Sequence, residues 1–291
     1  MKNNIDGRTK LTCIIGNPVG HSKSPYMHNL AFNSLGLNFA YTAFHIEEGE
    51  LGQAMKAIKT LGIKGCNVTM PYKEEVIKHI DRVDEGARLI GAVNTVENDN
   101  GSLIGYNTDG KGFLKSLKVN GVEYKGKKVV ILGGGGTAKA LSIEFALDGV
   151  GELVIVNRSL ARAEEIKATI DGNIGEVHVK ALELDRNVLE EEFKGGHIVI
   201  NTTSLGMGDQ EGQSVVEDHR IFHKDLFVAD VIYQPETTRF LELAKEAGCQ
   251  TMNGIGMLIY QGDIAFKIWT GKNMPEKIIN KLRGDLLGKE G

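Results

Sequence analysis

Short apolar runs alternate with stretches of helical periodicity along nearly the whole chain, and this alternation limits the fold more than any other feature. In the first half, the pattern predicts strands at 11–15, 39–44 and 63–68 and helices at 24–35, 47–61 and 109–120. Asp99-Asn100-Gly101 predicts the turn of a hairpin between strands at 93–97 and 103–106. Strand–helix–strand order is typical of an α/β domain with a mainly parallel sheet.

A second alternation begins at Lys127 and predicts a second sheet with helices between its strands. Its predicted strands lie at 129–132, 153–156, 177–179, 197–200 and 226–232. Its predicted helices lie at 138–147, 161–170, 238–247 and 257–269. The polar, glycine-rich stretch Gly206–Gln213 has no periodicity and is predicted to be a mobile loop. The boundary between the two blocks is expected near residues 110–126.

Composition excludes several classes of protein. The 291 residues include 37 glycines but only 5 prolines, whereas glycine-rich disorder normally brings proline and serine as well. The net charge of −4 argues against a nucleic-acid-binding protein, which usually shows a basic face. Cys13, Cys66 and Cys249 form no C-x-x-C pair, so buried reduced thiols are expected rather than a disulfide framework or a zinc site. Because the N-terminus shows no secretory pattern and no run of about 18 apolar residues occurs, we expect a cytoplasmic protein without a membrane partner.

A glycine loop follows the predicted strand at 129–132 directly. The segment Gly133-Gly134-Gly135-Gly136-Thr137-Ala138 fits G-x-G-x-x-A and opens a predicted helix. In such a loop the first glycine makes the tight turn, the second lets the backbone approach a pyrophosphate, and the third small residue lets helix and strand pack closely. The helix N-terminus then offers N–H groups to the phosphates. The context favours a dinucleotide site over a plain glycine-rich turn.

The end of the next predicted strand indicates which dinucleotide binds. An NAD site normally has an acidic residue there to hold the ribose 2′-hydroxyl, but this chain has Asn157-Arg158-Ser159. Arg158 can pair with a 2′-phosphate through its planar guanidinium, and Arg162 follows one helical turn later. Either arginine alone fits a solvated surface charge, but the two together favour NADP.

Polar residues also follow the predicted strands of the first half. Ser22 and Ser24 precede a helix and could bind a carboxylate, although a capping role with Pro25 in the first turn is the simpler interpretation of Ser24. Lys73 follows another strand and could donate a proton, although a lone lysine is usually a solvated charge. Asp109 could face Lys73 or could cap the helix that it begins. The eight histidines show no metal-ligand spacing and no nucleophile motif occurs, so neither metal nor covalent catalysis is expected.

Together these segments resemble the shikimate dehydrogenase family, which is NADP-dependent and acts in aromatic amino-acid and chorismate biosynthesis. The matching stretches are GNPVGHSKSPYMHN, NVTMPYK, GAVNT, GYNTDG, LGGGGTAKA, NRSLARAEE, NTTSLGM, DVIYQPETTRFL and NGIGMLIYQGDIAFKIWTG. The resemblance implies two α/β domains around a cleft. These are an N-terminal substrate domain with a mainly parallel sheet, residues 1–110 with 255–291, and a Rossmann-type NADP-binding domain, residues 111–254. It also implies reversible reduction of 3-dehydroshikimate to shikimate with hydride from NADPH.

The resemblance assigns roles to individual residues. Lys73 and Asp109 match the catalytic pair, and Ser22 and Ser24 match the serines that bind the substrate carboxylate, which reverses the capping interpretation of Ser24. The other implied substrate contacts are Asn67, Thr69, Asn94, Tyr233 and Gln261. The implied cofactor contacts are Gly133, Gly134, Gly135, Gly136, Thr137, Ala138, Asn157, Arg158, Ser159, Arg162, Gly254 and Met257. The glycines at 105, 110, 254 and 256 flank these segments, so we expect them where backbone approaches a ligand.

The chain departs from the family pattern at two places, and two alternatives stay open. Gly134 and Thr137 stand where the family usually has alanine or a similar small residue, and the stretch at 206–213 lacks the usual proline. One alternative is an NAD-dependent quinate/shikimate dehydrogenase, and the other is a non-catalytic sensor of shikimate-like ligands. A small-molecule substrate and no nucleic acid are the expected partners, and homodimerisation is left open.

Overall fold

The computed structural model of the protein describes residues 5–175 and 177–287. The chain forms two compact units, Met1–Gly112 with Ile259–Gly291 and Phe113–Leu258. It passes between them within two helices, α4 at Asp109–Val119 and α9 at Ile255–Thr270. Residues 1–4 and 288–291, the ends of the predicted first domain, lie outside the described residues.

The first unit contains a six-stranded mixed sheet. Its strands are β1 (Lys10–Gly16), β2 (Phe39–His45), β3 (Gly65–Val68), β4 (Arg82–Val83), β5 (Thr95–Asp99) and β6 (Ser102–Tyr106). Its further helices are α1 (Ser24–Leu35), α2 (Leu51–Thr60), α3 (Glu85–Ile90) and α10 (Glu276–Leu286). The strand order is β2-β1-β3-β5-β6-β4, in which β1 runs parallel to both neighbours and β5 runs antiparallel to both of its neighbours.

The predicted hairpin is confirmed, and its turn sequence explains its geometry. Asp99 pairs with Ser102, so Asn100 and Gly101 form a two-residue turn with φ of 52° and 93°. Two successive residues at positive φ are what a type I′ turn requires, and asparagine and glycine accept that conformation most readily. The hairpin places the end of β6 beside the start of β5, where several of the predicted site residues lie.

The second unit contains a six-stranded sheet in which every pair of neighbours is parallel. Its strands are β7 (Lys128–Leu132), β8 (Glu152–Asn157), β9 (His178–Glu183), β10 (Ile198–Asn201), β11 (Phe227–Asp230) and β12 (Gln250–Met252). Its further helices are α5 (Gly136–Leu147), α6 (Leu160–Asp171), α7 (Arg186–Lys194) and α8 (Arg239–Glu246). The order β12-β11-β10-β7-β8-β9 changes direction between β7 and β10, which is the topological switch point where Rossmann-type sheets bind dinucleotides.

The buried faces follow the sequence pattern closely. The apolar runs of β7, β8 and β10 are buried along almost their whole length, as expected for central strands of a parallel sheet with helices on both faces. The side chains of Cys13, Cys66 and Cys249 are buried free thiols. The described helices include none that is long and apolar enough to cross a membrane. The predicted α/β class is therefore confirmed for both units.

Some elements were not predicted from the sequence. Helix α7 contains three glutamates in nine residues, and one of them, Glu192, is buried on the same face as Leu189 and Phe193. The predicted loop Gly206–Gln213 contains a short 3₁₀ helix at Gly208–Gln210. Its turn is closed by the Gly206 N–H, which donates to the Gln210 carbonyl at 3.0 Å. The predicted mobility of this loop stays a prediction.

Candidate active site

Two polar segments of the first unit lie side by side because β1 and β3 are paired in parallel. Ile15 pairs with Val68, so the chain leaves both strands at the same edge of the sheet. The Asn17 N–H donates to the Met70 carbonyl at 3.0 Å just beyond this edge. A Cβ on Gly16 would lie 2.3 Å from Thr69 Cγ2, so glycine is required for this approach. The segment that carries the two predicted serines therefore starts beside Thr69.

The serines that precede α1 do not act as expected from bare capping rules. Ser24 is the first residue of the helix, and Lys23 is at the cap position, where its side chain makes no capping hydrogen bond. The Ser22 hydroxyl accepts from the Ser24 N–H at 3.2 Å. The capping interpretation of Ser24 is therefore wrong. Because a helix N-terminus without a side-chain cap keeps N–H groups available for an anion, the geometry suits a carboxylate ligand.

Lys73 and Asp109 form an ion pair. Lys73 Nζ donates to Asp109 Oδ2 at 2.7 Å, and the two side chains are 33% and 17% exposed. The Val93 N–H donates to the Lys73 carbonyl at 2.7 Å and so ties this segment to the one that precedes β5. The Asp109 N–H bonds the Asn107 side chain, while the Asp109 carboxylate faces Lys73 and Asn94. The structure thus favours the paired role of Asp109 over the capping role.

Asn94 connects this ion pair to the sheet. Its amide nitrogen donates to Asp109 Oδ1 at 2.8 Å and to Thr108 Oγ1 at 3.0 Å. Its oxygen accepts from the Thr108 N–H at 2.9 Å and from the Thr95 hydroxyl at 3.0 Å. Only 3% of Asn94 is exposed, and these contacts engage both N–H groups and the oxygen. The Asn94 side chain therefore binds the Asp109 carboxylate and holds it in place.

Asn67 and Gln261 lie next to the same group. Asn67 Nδ2 donates to the Asn94 carbonyl at 3.2 Å and to Thr95 Oγ1 at 3.0 Å. Gln261, on α9, accepts a long hydrogen bond of 3.4 Å from Thr108 Oγ1. A Cβ on Gly112 would lie 2.6 Å from the Gln261 backbone nitrogen, so this glycine lets α4 and α9 approach closely within the first unit. The fold thus brings Asn67, Lys73, Asn94, Asp109 and Gln261 together.

The glycine loop of the second unit has the geometry that a phosphate site needs. Gly133 has φ of 125°, and a Cβ there would lie 2.4 Å from Thr202 Oγ1. Gly135 caps α5 without any side-chain hydrogen bond, and a Cβ on Gly135 or Gly136 would meet no atom within 4 Å. Ala138 is fully buried, as the third small position requires. The loop therefore leaves open space at the start of α5, where an anion is stabilised.

Two of the residues predicted to hold a 2′-phosphate lie beside the same loop. A Cβ on Gly134 would lie 2.8 Å from Asn157 Nδ2 and 3.0 Å from Arg162 Cβ. Asn157 Nδ2 donates to the Ser159 carbonyl at 3.0 Å, which fixes the turn between β8 and α6. Arg158, Ser159 and Arg162 are exposed to solvent. Arg158 directly follows Asn157, and the charged groups of Arg158 and Arg162 are both accessible to a ligand.

Three glycines of the predicted binding segments are explained by close packing. A Cβ on Gly254 would lie 1.9 Å from the Val231 carbonyl, and a Cβ on Gly256 would lie 1.9 Å from Ser116 Oγ. A Cβ on Gly105 would lie 2.5 Å from Ile80 Cδ1. These three glycines are therefore required by packing inside their own units, and no ligand is needed to explain them.

Tyr233 and Met257 are half-buried, and burial raises the pKa of the Tyr233 hydroxyl.

Several polar residues of these sites were not predicted. In the first unit they are Tyr41, Thr95, Asn107 and Thr108, and in the second Asp230. Asp230 is fully buried and accepts from Thr238 Oγ1 at 2.7 Å, from the Ile232 N–H at 3.0 Å and from Asn201 Nδ2 at 3.2 Å. Burial raises the pKa of Asp230 to about 6 in spite of these donors. Tyr41 lies inside β2, Thr95 begins β5, Asp230 ends β11, and Asn107 and Thr108 follow β6, so no single sequence pattern marks them.

The Lys73–Asp109 pair can perform acid–base chemistry. Among the described residues, no group of three or more His, Cys, Asp or Glu side chains could hold a metal ion. A lysine ammonium paired with a carboxylate can hold a proton for a developing alkoxide. The open loop at α5, together with the exposed arginines, can hold the phosphates of a dinucleotide. Carbonyl reduction needs both of these features.

Comparison with known families gives matches along most of the chain. Residues 14–96 match the model of the shikimate dehydrogenase substrate binding domain. Residues 115–207 match that of shikimate / quinate 5-dehydrogenase, and residues 254–282 match that of the shikimate 5'-dehydrogenase C-terminal domain. The three models together match parts of both units.

Individual proteins are similar over nearly their full length. A shikimate dehydrogenase (NADP(+)) of Alkaliphilus metalliredigens is 46% identical over 282 residues, which are 97% of this chain and 99% of that protein. The crystal structure of Listeria monocytogenes shikimate 5-dehydrogenase in complex with shikimate and NAD has a TM-score of 0.94 at 40% identity, covering 98% of this chain and 99% of that one. The structure of ligand-free 5-ketofructose reductase of a Gluconobacter species has a TM-score of 0.86 at 37% identity, covering 97% and 100%. With identity of this extent across both units, the chain belongs to the shikimate dehydrogenase family.

Proposed function

We propose that the protein catalyses the reversible, NADPH-dependent reduction of 3-dehydroshikimate to shikimate. The observation that carries this proposal is the Lys73–Asp109 ion pair, with Nζ and Oδ2 at 2.7 Å, in a chain of the shikimate dehydrogenase family. The first unit would bind the substrate, and the second would bind the cofactor.

Lys73 holds the proton that the reaction requires. NADPH, when bound, supplies the hydride that adds to the C3 carbonyl carbon. The carbonyl oxygen gains negative charge in that step, and the Lys73 ammonium donates a proton to it, so that a hydroxyl forms and a neutral amine remains. Asp109 orients the ammonium and stabilises its charge before transfer. Lysine then regains a proton from solvent, and the reverse reaction uses the same groups.

The serine segment and its neighbours bind and orient the substrate. Ser22 and Ser24 stand at the N-terminus of α1, where a carboxylate is favoured by the helix dipole. Asn67, Thr69 and Gln261 lie in the segments next to the Lys73–Asp109 pair and keep their predicted role as substrate contacts. Tyr233 keeps its predicted role as a substrate contact. Asn94 acts through Asp109, since its amide already donates to that carboxylate.

The residues around the glycine loop fit NADP. Gly133–Gly136 leave space at the start of α5 for the pyrophosphate, and Thr137 adds a hydroxyl on the first turn of the helix. Arg158 and Arg162 supply two positive charges where a ribose 2′-phosphate needs them, and no acidic residue stands at the end of β8. Asn157 and Ser159 support them, and Gly254 and Met257 keep their predicted place near the nicotinamide. A reducing cytoplasm is the proposed compartment.

A single absorbance assay tests the proposal. The purified protein is mixed with 3-dehydroshikimate and either NADPH or NADH, and loss of the reduced-cofactor absorbance is followed. We expect turnover with NADPH and a much lower kcat/KM with NADH. Preferred use of NADH, or oxidation of quinate as efficient as that of shikimate, would instead identify a quinate/shikimate dehydrogenase. Turnover of 5-ketofructose alone, or binding of both ligands without turnover, would overturn the proposed reaction.

A further inference from the structure

Two buried hydroxyls of the first unit, those of Tyr41 and Thr95, are linked to the Lys73–Asp109 pair through the side chains of two asparagines. We propose that Tyr41 and Thr95 are positioning residues for Asp109, acting through a one-directional series of hydrogen bonds that ends at its carboxylate. This inference rests on the proposed function, because it concerns the group that prepares the proton donor. Neither hydroxyl contacts Lys73 or Asp109 directly, so both act through the side chains of Asn67 and Asn94.

The series has four steps with good geometry throughout. The Tyr41 hydroxyl donates to Asn67 Oδ1 at 2.6 Å, and Asn67 Nδ2 donates to Thr95 Oγ1 at 3.0 Å. The Thr95 hydroxyl donates to Asn94 Oδ1 at 3.0 Å, and Asn94 Nδ2 donates to Asp109 Oδ1 at 2.8 Å. Every distance lies within the range of ordinary protein hydrogen bonds. The last donor therefore binds the carboxylate oxygen that Lys73 leaves unused.

Two backbone groups fix the direction of the series. The Asn94 carbonyl can only accept, so the Asn67 NH₂ group must face it, and Asn67 Oδ1 must face Tyr41. The Thr108 N–H can only donate, so Asn94 Oδ1 must face it, and the Asn94 NH₂ group must face Asp109. Between them, Thr95 Oγ1 accepts from Asn67 and donates to Asn94. Amide orientation is thus determined by chemistry at both asparagines, and each donor points towards Asp109.

Burial makes this series sensitive to the loss of one member. Thr95 is fully buried, and Asn94, Tyr41 and Asn67 are 3%, 4% and 6% exposed. In a water-poor interior, successive hydrogen bonds strengthen one another, and a removed hydroxyl leaves partners without replacement by solvent. Without the Thr95 hydroxyl, Asn94 Oδ1 keeps only its donors on Thr108, so the amide is held less firmly in the orientation that points its NH₂ group at Asp109. The carboxylate would then hold Lys73 in more than one orientation.

Tyr41 is itself held rigidly at the start of the series. The Asn29 side chain accepts from the Tyr41 N–H at 2.9 Å and donates to the Tyr41 carbonyl at 2.8 Å. The Tyr41 ring stacks on His28 with centroids 4.5 Å apart and planes 6° apart, and Trp269 packs at 6.0 Å. Burial also raises the pKa of Tyr41 well above its usual value of 10, so its hydroxyl stays protonated and donates. The phenol is therefore a fixed donor.

Full-length Thr95→Val and Tyr41→Phe, which remove only the hydroxyls, test the proposal by steady-state kinetics. For Thr95→Val we expect kcat to fall about tenfold, with the KM values for 3-dehydroshikimate and NADPH within about twofold of wild type. Thr95→Ser, which keeps the hydroxyl, should restore kcat. If the two residues belong to one series, the double variant should be no slower than Thr95→Val alone, because the second loss acts on a series already broken.

Thr12→Val is the matched control. Thr12 is also fully buried in the first unit, but its hydroxyl donates to the Ala40 carbonyl at 3.2 Å, so its loss should leave kcat unchanged. An active wild type whose kcat survives Thr95→Val, or variants whose effects on kcat are additive, would overturn the inference alone. An inactive wild type would overturn the proposed function and this inference with it. If Thr95→Val fails to fold by circular dichroism, Tyr41→Phe and Thr95→Ser decide by the same kcat criterion.

Discussion

Lys73 Nζ and Asp109 Oδ2 lie 2.7 Å apart although the two residues are separated by 36 positions in the chain. The contact forms because the segment after β3 and the segment after β6 are brought together by the β3-β5-β6 order of the sheet. Both side chains are partly shielded from water, so the pair is oriented and still accessible to a ligand. The proposed reaction depends on this relationship.

Substitution of Lys73 by alanine removes the proton donor. We expect Lys73→Ala to lower kcat by about 10²–10⁴-fold, the usual contribution of general acid catalysis, and to change the KM for 3-dehydroshikimate much less. Steady-state kinetics at saturating NADPH measures both constants. A large rise in KM with kcat intact would instead show that Lys73 binds substrate and does not take part in proton transfer.

Removal of Arg158 should change the choice of cofactor. Its guanidinium is exposed and free to pair with a 2′-phosphate, an interaction of about 1.5–3 kcal/mol, so Arg158→Ala should lower kcat/KM for NADPH by about 10–100-fold. Because NADH lacks that phosphate, kcat/KM for NADH should hardly change. Arg8→Ala, an exposed arginine of the first unit paired with Asp6, is the control. Equal losses with both cofactors would contradict the assignment.

His28 should make the protein less stable in mild acid. It is fully buried, and burial lowers its pKa to about 3 from the ordinary 6.5. Below pH 6.5 the unfolded chain takes up a proton that the folded chain excludes, so the stability present above pH 6.5 is lost as the pH falls towards 3. Between about pH 7.5 and about pH 5 this loss amounts to about 2 kcal/mol.

Urea unfolding at these two pH values measures the effect. His28→Phe keeps an aromatic ring against Tyr41 and removes the titration, so the variant should lose about 2 kcal/mol less than wild type over the same interval. The comparison isolates His28 because the other acidic and basic groups are common to both proteins. Equal pH dependence in the two proteins would show that His28 does not titrate in this way.

Asp230 should have the opposite pH dependence. Burial raises its pKa to about 6, whereas an unfolded aspartate titrates near 3.8. Between these values the folded chain binds the extra proton, so the stability that is fully present below about pH 4 falls as the pH rises through 6. The change from about pH 4 to about pH 7 is about 2 kcal/mol. In urea unfolding, the free energy of unfolding of Asp230→Asn should lack this pH-dependent change. A variant whose stability changes with pH as much as that of wild type would refute the prediction.

The sequence was sufficient to predict the class of fold. Helix α1 was predicted with its observed bounds, and the hairpin turn at Asn100 and Gly101 was predicted from Asp99-Asn100-Gly101, because local propensity and apolar periodicity act over short distances. Helix α7 and strand β12 were missed, since one is rich in glutamate and the other is three residues long. In α7, burial of Leu189 and Phe193 outweighs weak local preference, and β12 forms through its backbone pairing with β11.

The motifs of the sequence also determined which residues to examine: the glycine loop at 133–136, Arg158 at the end of β8, and Lys73 with Asp109. Only the tertiary structure decided what their neighbours do. It showed that a side chain at position 254 would clash with the Val231 carbonyl, and that the Asn94 amide donates a hydrogen bond to the Asp109 carboxylate. It also showed that the Tyr41 and Thr95 hydroxyls are connected to that carboxylate through the side chains of Asn67 and Asn94. Hydrogen bonds and close contacts depend on distances between segments far apart in the chain. A pattern of residue types carries no such distances until strand order and register bring the segments together.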